Sequence, residues 1–271
     1  MPAIEISRLR ARIQILTELV DTPVSLAQEL TRFYESYSDL TFKSGSFSVK
    51  AGNYPAYRTP PLMNRELETA FIGRIKEKPR QILELIDLLA KKPLYEPRQL
   101  AAALLGAFPP DFFDEVTRRI ADWATASEAL DDLVWIFNLG TRRIRIEAPE
   151  IWLKLLKTWL ESKDPKDRLV AVHGLSSMID DAKLSNLPLI FKYLQPLLQE
   201  SNPVILPYLE TILEKLAKKS ENETIYFIKQ TLSVSKSPSL VRMIRRNLEQ
   251  YSSEGQESLR SYLRSLQNAE S

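Results

Sequence analysis

Prolines at nearly constant spacing constrain the fold of this chain more than any other sequence feature. Five of them lie 36, 68, 38 and 35 residues apart, and 68 is two steps of 34: Pro61, Pro97, Pro165, Pro203 and Pro238. Each opens a segment with apolar residues at helical spacing, such as PRQLAAALLGAF. Proline suits the first helical turn because its missing N–H is not needed there. A period near 35 residues with one helix start per unit is typical of an α-solenoid, so we predict an all-α superhelix of about six helix pairs.

The composition agrees with a helical chain that buries a large core. Of the 271 residues 44% are hydrophobic, and only 7 are glycine, which leaves few residues for the turns of an all-β protein. We predict one domain over residues 1–271. Its helices are predicted at residues 3–20, 23–38, 62–76, 79–91, 96–107, 111–124, 127–139, 148–162, 165–178, 186–199, 203–219, 222–233, 238–251 and 254–267.

One segment, residues 41–61, loses the helical period. Its sequence TFKSGSFSVKAGNYPAYRTPP alternates about a Ser-Gly pair, which predicts a non-helical loop or short hairpin insertion. A loop of this length is usually either functional or disordered, and both alternatives stay open. Lys43, Lys50 and Arg58 lie in a stretch without any acidic residue, so we expect positive potential there.

The enzyme motifs that a sequence can reveal are absent. There is no glycine-rich phosphate loop, no GxSxG and no HExxH. With one histidine and no cysteine, we predict no metal and no cofactor. His173 lies among apolar residues and is predicted to be a packed core histidine. Trp152 and Trp159 are seven residues apart on one helix face, which also favours core packing.

Targeting signals are missing as well. No apolar run reaches the length of about 20 residues that crosses a bilayer, and the first residues lack the apolar core of a secretory signal. We therefore predict a cytoplasmic protein without a membrane partner.

Because the chain is almost neutral overall, an anionic partner would have to bind at a local cluster of basic residues. The formal net charge is only +2, and basic residues cluster at Arg142, Arg143 and Arg145. Arg98 and Arg168 each fall in the first turn after a repeat proline, as do Arg65 and Arg242. A row of such arginines would bind a phosphate backbone, or it would tie neighbouring repeats together through acidic partners such as Asp164 and Asp167. The two alternatives carry equal weight.

Several segments resemble known repeat proteins. DPKDRLVAVHGL resembles the second helix of HEAT repeats, and the order of segments over about residues 30–250 resembles the AlkD-like DNA alkylation repair family. ASEALDDLVWIFNLG resembles its Trp-x-x-x-Asp active-site helix, and KTWLESKDPKDRLVAV resembles the segment with its phosphate-binding arginine. The resemblance implies a catalytic carboxylate at Asp131 and a phosphate contact at Arg168. The family's two active-site tryptophans are replaced by Ser127 and Thr211.

These departures imply that the scaffold is kept and the glycosylase activity is lost. Asp131 and Asp132 also fit solvated charges near a helix start. Our first hypothesis is a HEAT-like nucleic-acid-binding protein related to the DNA alkylation repair glycosylases, with DNA as its partner. The basic residues expected to bind DNA are Arg142, Arg143, Arg145, Arg168, Arg98, Lys43, Lys50 and Arg58. The alternatives are a protein scaffold that binds a peptide or helix on its concave face, and an active alkylpurine DNA glycosylase that uses Asp131.

Overall fold

The computed structural model describes residues 5–38, 54–127, 130–181, 186–235 and 237–268 of the chain. Within them it has 15 α-helices, three short 3-10 helices and no strand, which confirms the all-α prediction. The α-helices are α1 (Ile6–Glu18), α2 (Pro23–Ser36), α3 (Pro61–Ile72), α4 (Pro79–Ala90), α5 (Tyr95–Leu105), α6 (Phe113–Ala126), α7 (Leu130–Gly140), α8 (Arg142–Glu147), α9 (Pro149–Leu160), α10 (Pro165–Ile179), α11 (Leu187–Glu200), α12 (Leu206–Lys219), α13 (Glu221–Val234), α14 (Pro238–Arg246) and α15 (Ser253–Asn268).

Helix boundaries follow the prolines with one exception. Pro61, Pro165 and Pro238 each begin a helix, as predicted, and Pro97 lies in the first turn of α5. Pro203 does not begin a helix: the Asn202 side chain accepts a hydrogen bond from the backbone N–H of Val204 at 2.9 Å, and this turn delays α12 until Leu206. The local hydrogen bond therefore outweighs the preference of proline for the first helical turn.

The region around the predicted 127–139 helix also differs. α6 runs on to Ala126, and Ser127 then takes an extended conformation with φ −68° and ψ 125°, so α7 begins at Leu130. A short helix that the sequence analysis missed, α8, follows α7 after one residue.

The chain forms two compact units, Met1–Trp152 and Leu153–Ser271. We call them unit 1 and unit 2. In unit 1, α1, α3, α5 and α7 contact each other in order, while α2 and α4 pack as a second layer. In unit 2, α10, α12 and α14 form one layer, and α11, α13 and α15 form the other. The alternation of layers is the helix pairing that the period predicted. A single domain over residues 1–271 stays a prediction.

The apolar faces of these layers form the cores. Trp152 and Trp159 are both buried, as predicted, and the ring of Trp152 meets Phe137 edge-on at 5.3 Å. His173 is half-buried, and its ring packs edge-on against Tyr208 at 5.1 Å. Among the described residues, no helix is both long enough and apolar enough to cross a membrane.

A close helix approach in unit 1 fixes the position of α7. Gly106 follows α5, and a Cβ built there would lie 1.8 Å from the backbone oxygen of Leu139. Only glycine allows the two backbones to meet this closely. The contact holds the end of α7 against α5 and so determines where the side chains of α7 point.

Candidate functional site

Unit 1 contains a pocket of about 490 Å³ whose walls come from α4, α5, α6 and α7. This volume falls within the range of roughly 300–1,000 Å³ that is usual for small-ligand sites. The side chains that line it are mostly aromatic or charged: Tyr54, Asp87, Ala90, Lys91, Arg98, Arg118, Arg119, Asp122, Trp123, Ala126, Ser127, Trp135 and Ile136.

Two half-buried tryptophans supply its aromatic surface. Trp123 lies near the end of α6 and Trp135 lies in the middle of α7. Tyr95, at the start of α5, meets Trp135 edge-on at 6.3 Å and supports it from behind. Aromatic rings that are partly exposed in this way offer flat apolar faces to a ligand.

The charged side chains of the pocket fall into two groups. Arg119 is buried and forms two parallel hydrogen bonds to Asp87, each 2.8 Å long. By contrast, Lys91, Arg118 and Asp122 are exposed, and none of them has an ion-pair partner among the residues that the structure describes. The lining has four basic and two acidic side chains, so the pocket carries an excess of positive charge.

One wall of the pocket ends at a non-helical segment, residues 54–60, which we call the strap. The strap is the described end of the predicted insertion; residues 39–53, and with them the hairpin prediction, lie outside the described part of the chain. The carboxylate of the buried Glu96 accepts hydrogen bonds from the backbone N–H of Tyr57 at 2.9 Å and of Thr59 at 3.3 Å. Between them, Arg58 has φ 56° and is exposed. Glu96 thus clamps the strap to α5.

Further contacts fix the strap at the rim of the pocket. The guanidinium of Arg98 lies 4.1 Å from the centre of the Tyr54 ring and donates a hydrogen bond to the Tyr54 hydroxyl at 2.8 Å. It also donates to the backbone oxygen of Lys92 at 2.7 Å. The backbone N–H of Tyr95 donates to the oxygen of Pro55 at 3.0 Å. Arg98 and Tyr54 therefore form a rigid, stacked edge of the pocket.

A buried tyrosine lies beneath the strap. The ring of Tyr34 stacks on Tyr57 with a centroid distance of 5.6 Å and an angle of 6°. Burial raises the pKa of Tyr34 well above its usual range, and the negative charges of Glu96 and Glu68 add to the shift. Tyr34 stays neutral and acts as a packing surface for the strap.

Comparison with models of protein families shows which family the chain belongs to. A model of the family described as DNA alkylation repair enzyme matches residues 59–251. The chain belongs to this family. In comparisons with curated proteins and with solved structures, no match was found.

The residues that the sequence resemblance assigned to the family's active site fall in both units. Ser127 lines the pocket in unit 1. Thr211 lies exposed on α12 in unit 2, where its hydroxyl donates to the backbone oxygen of Pro207 at 3.3 Å. Asp131 is the second residue of α7, and its side chain lies outside the described atoms. Asp132 is only 1% exposed, so the interpretation of this residue as a solvated charge is wrong.

The arginines predicted in the 142–145 cluster have different environments. Arg142 is exposed at the start of α8. Burial raises the pKa of the nearby Glu68, and the positive charges of Arg142 and Arg65 oppose that shift. Arg143 is half-exposed, pairs with Glu147 at 2.6 Å and donates to a backbone oxygen.

Arg145 requires a correction, because it is only 7% exposed. Its guanidinium donates to the Thr141 hydroxyl at 2.6 Å and to the backbone oxygen of Phe137. These bonds close the end of α7 and keep the charge away from any ligand.

Arg168 also differs from the expectation. It pairs with Glu200, which lies 32 residues further along the chain, and its side chain is 16% exposed. Two other pairs in unit 2, Lys215 with Asp180 and Arg246 with Glu210, span 35 and 36 residues, or about one repeat. Arg168 therefore links neighbouring repeats, as the second alternative predicted. Its acidic partner is Glu200 and not the predicted Asp164 or Asp167. Lys43 and Lys50 lie outside the described residues.

Sequence reasoning missed Lys91 and the polar face of α6, which line the pocket, and Glu96, which clamps the neighbouring strap. The spacing of Arg118, Asp122 and Ala126 by four residues was the available signal, since it places them on one helix face. Nothing in the sequence around Glu96 marks it as buried.

Proposed function

We propose that this chain is a DNA-binding member of the alkylation repair family that holds DNA through basic residues of unit 1 and has no glycosylase activity. The observation that carries the proposal is the combination, at one pocket, of exposed basic side chains with partly exposed aromatic rings. Lys91 and Arg118 have no acidic partner among the described residues, and Trp123 and Trp135 lie beside them. Basic groups that follow a phosphate backbone and aromatic rings that stack on bases are the usual means of nucleic-acid binding.

The phosphate contacts are assigned to exposed or accessible cations of unit 1. Arg98 is held in place by Tyr54, so little conformational freedom is lost when it meets a phosphate. Arg142 is exposed, and its charge and that of Arg65 both act on the half-buried Glu68. Arg58 projects from the clamped strap. Arg145 and Arg168 are left out of this set because they are mostly buried: Arg145 is 7% exposed, and the side chain of Arg168 is 16% exposed.

The absence of cleavage is supported by the two positions that lack the family's tryptophans. Cleavage of an alkylated base develops positive charge at the sugar, which a carboxylate and aromatic faces stabilise. Ser127 and Thr211 provide neither aromatic face. The remaining candidate, an active glycosylase, is favoured by the family description as a repair enzyme, and Asp131 would be its carboxylate.

The salt dependence of duplex binding tests the proposal. The affinity for a labelled duplex, measured by fluorescence anisotropy, should fall steeply between low and physiological salt. Arg142→Gln should reduce the slope of log K against log salt by about 0.9, the effect of one phosphate contact. Arg80→Gln is the matched control, since Arg80 is exposed on α4, lies outside the pocket and has no ion pair among the described residues.

Each result has a clear meaning. A steep slope that Arg142→Gln reduces and Arg80→Gln does not supports the proposed interface. Absence of binding at low salt overturns the DNA-binding function and leaves a protein scaffold as the alternative. Release of alkylated base from treated DNA, lost in Asp131→Asn, would establish the glycosylase instead.

A further inference from the structure

We propose that the pocket of unit 1 binds one unpaired nucleobase, with preference for a base that carries an exocyclic amino group. This inference rests on the proposed DNA-binding function and adds the part of the DNA that the pocket recognises. The observation behind it is the arrangement of three kinds of side chain, each suited to one part of a nucleotide: Trp123 and Trp135, Lys91 and Arg118, and Asp122.

The aromatic side chains are suited to the base. Trp123 and Trp135 come from two different helices and are both half-buried, so part of each ring faces the pocket. The pocket volume of about 490 Å³ admits one nucleotide and not a stretch of duplex. A paired base cannot enter, because its faces are covered by its neighbours in the stack.

The unpaired cations are suited to the phosphate. Lys91 lies just after α4 and Arg118 lies on α6, so they flank the pocket from two sides. Arg119 is different, since its bidentate pair with Asp87 already neutralises it. A phosphate that follows the bound base would therefore meet Lys91 and Arg118 and not Arg119.

The carboxylate of Asp122 supplies the selectivity. It is exposed at the pocket, one residue before Trp123, and has no ion-pair partner among the described residues. An ionised carboxylate only accepts hydrogen bonds. Adenine and cytosine have an exocyclic amino group that donates, while the one ring N–H on the pairing edge of thymine lies between two carbonyl oxygens that repel a carboxylate. Asp122 therefore favours adenine or cytosine over thymine.

The test compares three labelled DNA molecules with the same sequence and the full chain as the protein. One is an intact duplex, the second has a single unpaired adenine, and the third has a single unpaired thymine at the same site. Binding is measured by fluorescence anisotropy at one salt concentration. We expect the unpaired adenine to tighten binding roughly 5- to 30-fold over the intact duplex, as one stacked base does, and to bind several-fold tighter than the unpaired thymine.

Two variants assign the effect to the pocket. Trp123→Ala should bring the affinities for the bulged and the intact duplex within about twofold of each other. Asp122→Ala, at an exposed position, should remove the preference for adenine over thymine. The controls are Tyr226→Ala, which removes an aromatic ring that is 69% exposed in unit 2, and Asp111→Ala, which removes an exposed carboxylate outside the pocket.

The outcomes separate this inference from the proposed function. Equal binding of all three DNA molecules overturns the base-binding pocket and leaves duplex binding intact. A preference for bulged DNA that survives both pocket variants also overturns it, because the preference then arises from the flexibility of the DNA. If no DNA binds, both proposals are overturned.

Discussion

Unit 1 and unit 2 are built from the same kind of stacked helix pairs, but they use their charged residues differently. In unit 2, Lys215 pairs with Asp180, Arg246 pairs with Glu210 and Arg168 pairs with Glu200, each about one repeat apart. Unit 1 also has a pair of this kind, Arg119 with Asp87 over 32 residues. There, however, an irregular strap interrupts the repeats, and Lys91 and Arg118 have no acidic partner among the described residues beside an aromatic pocket.

The difference shows how charged residues of one architecture can either stabilise the fold or remain available to a ligand. A cation that pairs with an acid in the next repeat contributes to the fold, and a ligand must break that pair before it can use the charge. A cation held near a pocket without a partner is available to an anion at no such cost. We therefore expect stability effects to dominate at the paired residues of unit 2 and binding effects to dominate at the open residues of unit 1.

The largest stability effect is expected at Gly106, where the backbones of α5 and α7 approach closely. Gly106→Ala places a Cβ 1.8 Å from a backbone oxygen of Leu139, so α7 must move, and unit 1 should lose at least about 3 kcal/mol of unfolding free energy. Gly255→Ala in unit 2 meets only the ends of side chains, Glu221 Oε1 at 2.5 Å and Ile225 Cδ1 at 2.9 Å, although Glu221 also accepts hydrogen bonds from Ser252. Because side-chain ends can shift, its cost should be smaller, about 1 to 2 kcal/mol. Urea unfolding measures both variants; equal costs would contradict the closer backbone approach at Gly106.

The next effect concerns the clamp on the strap. Glu96→Ala leaves the backbone N–H groups of Tyr57 and Thr59 without their acceptor, and we expect a loss of about 2 to 3 kcal/mol. Hydrogen exchange at these two amides should become much faster. Glu214→Ala is the control in unit 2, where Glu214 forms an exposed pair with Lys218, and its cost should stay below about 0.5 kcal/mol. Unchanged exchange in Glu96→Ala would refute the clamp.

Each unit also has one buried tyrosine that makes stability depend on alkaline pH. Burial raises the pKa of Tyr251 to about 12, and the Glu221 charge adds to the shift; the pKa of Tyr34 is raised as well. Because each folded-state pKa lies above the unfolded value of about 10, the unfolded chain ionises first, and stability is full below pH 10 and falls as the pH rises toward the folded pKa.

Tyr251→Phe should remove roughly 2 kcal/mol of the stability loss between pH 10 and pH 12. Tyr34→Phe should also remove part of the loss at alkaline pH, since the pKa of Tyr34 is raised by burial. The measurement is urea unfolding at a series of pH values, with exposed Tyr226→Phe as the control. A tyrosine variant whose pH dependence equals that of the unmodified chain would show that the residue titrates normally.

The smallest effect is expected for the inter-repeat ion pairs. A double-mutant cycle with Arg168→Gln and Glu200→Gln should give a coupling energy of about 1 kcal/mol, since Arg168 is mostly buried. The cycle for the more exposed pair of Arg246 and Glu210 should give about 0.3 kcal/mol. A coupling of zero for Arg168 and Glu200 would return Arg168 to the set of residues available to phosphate.

The sequence predicted the regular parts of the fold because proline spacing and helical periodicity are local signals. Pro61, Pro165 and Pro238 begin helices for the reason that the sequence analysis gave. Pro203 does not, because the hydrogen bond from Val204 to the Asn202 side chain competes with it. The preference of a single residue for one helical position is small, a few tenths of a kcal/mol, so one local hydrogen bond can outweigh it. A periodic pattern of prolines does not show such a bond.

The surroundings of the pocket were harder to predict because the residues there come together only through tertiary contacts. Glu96 is next to a repeat proline and was treated as a helix-start residue, yet its carboxylate turns toward the strap, about 40 residues earlier in the chain. Arg145 and Arg142 look equivalent in sequence, but only Arg145 faces the end of α7 and becomes buried. Burial of this kind follows from which helix lies opposite, and the sequence period does not determine it.

The most direct test of the central claim compares the salt dependence of duplex binding for one double variant from each unit. Lys91→Gln with Arg118→Gln removes two unpaired cations at the pocket, and Lys218→Gln with Arg246→Gln removes two cations that pair with acids in unit 2. We expect the first to reduce the slope of log K against log salt by about 1.8 and the second to leave it unchanged. A reduction in the second variant and none in the first would contradict the assignment of DNA binding to unit 1.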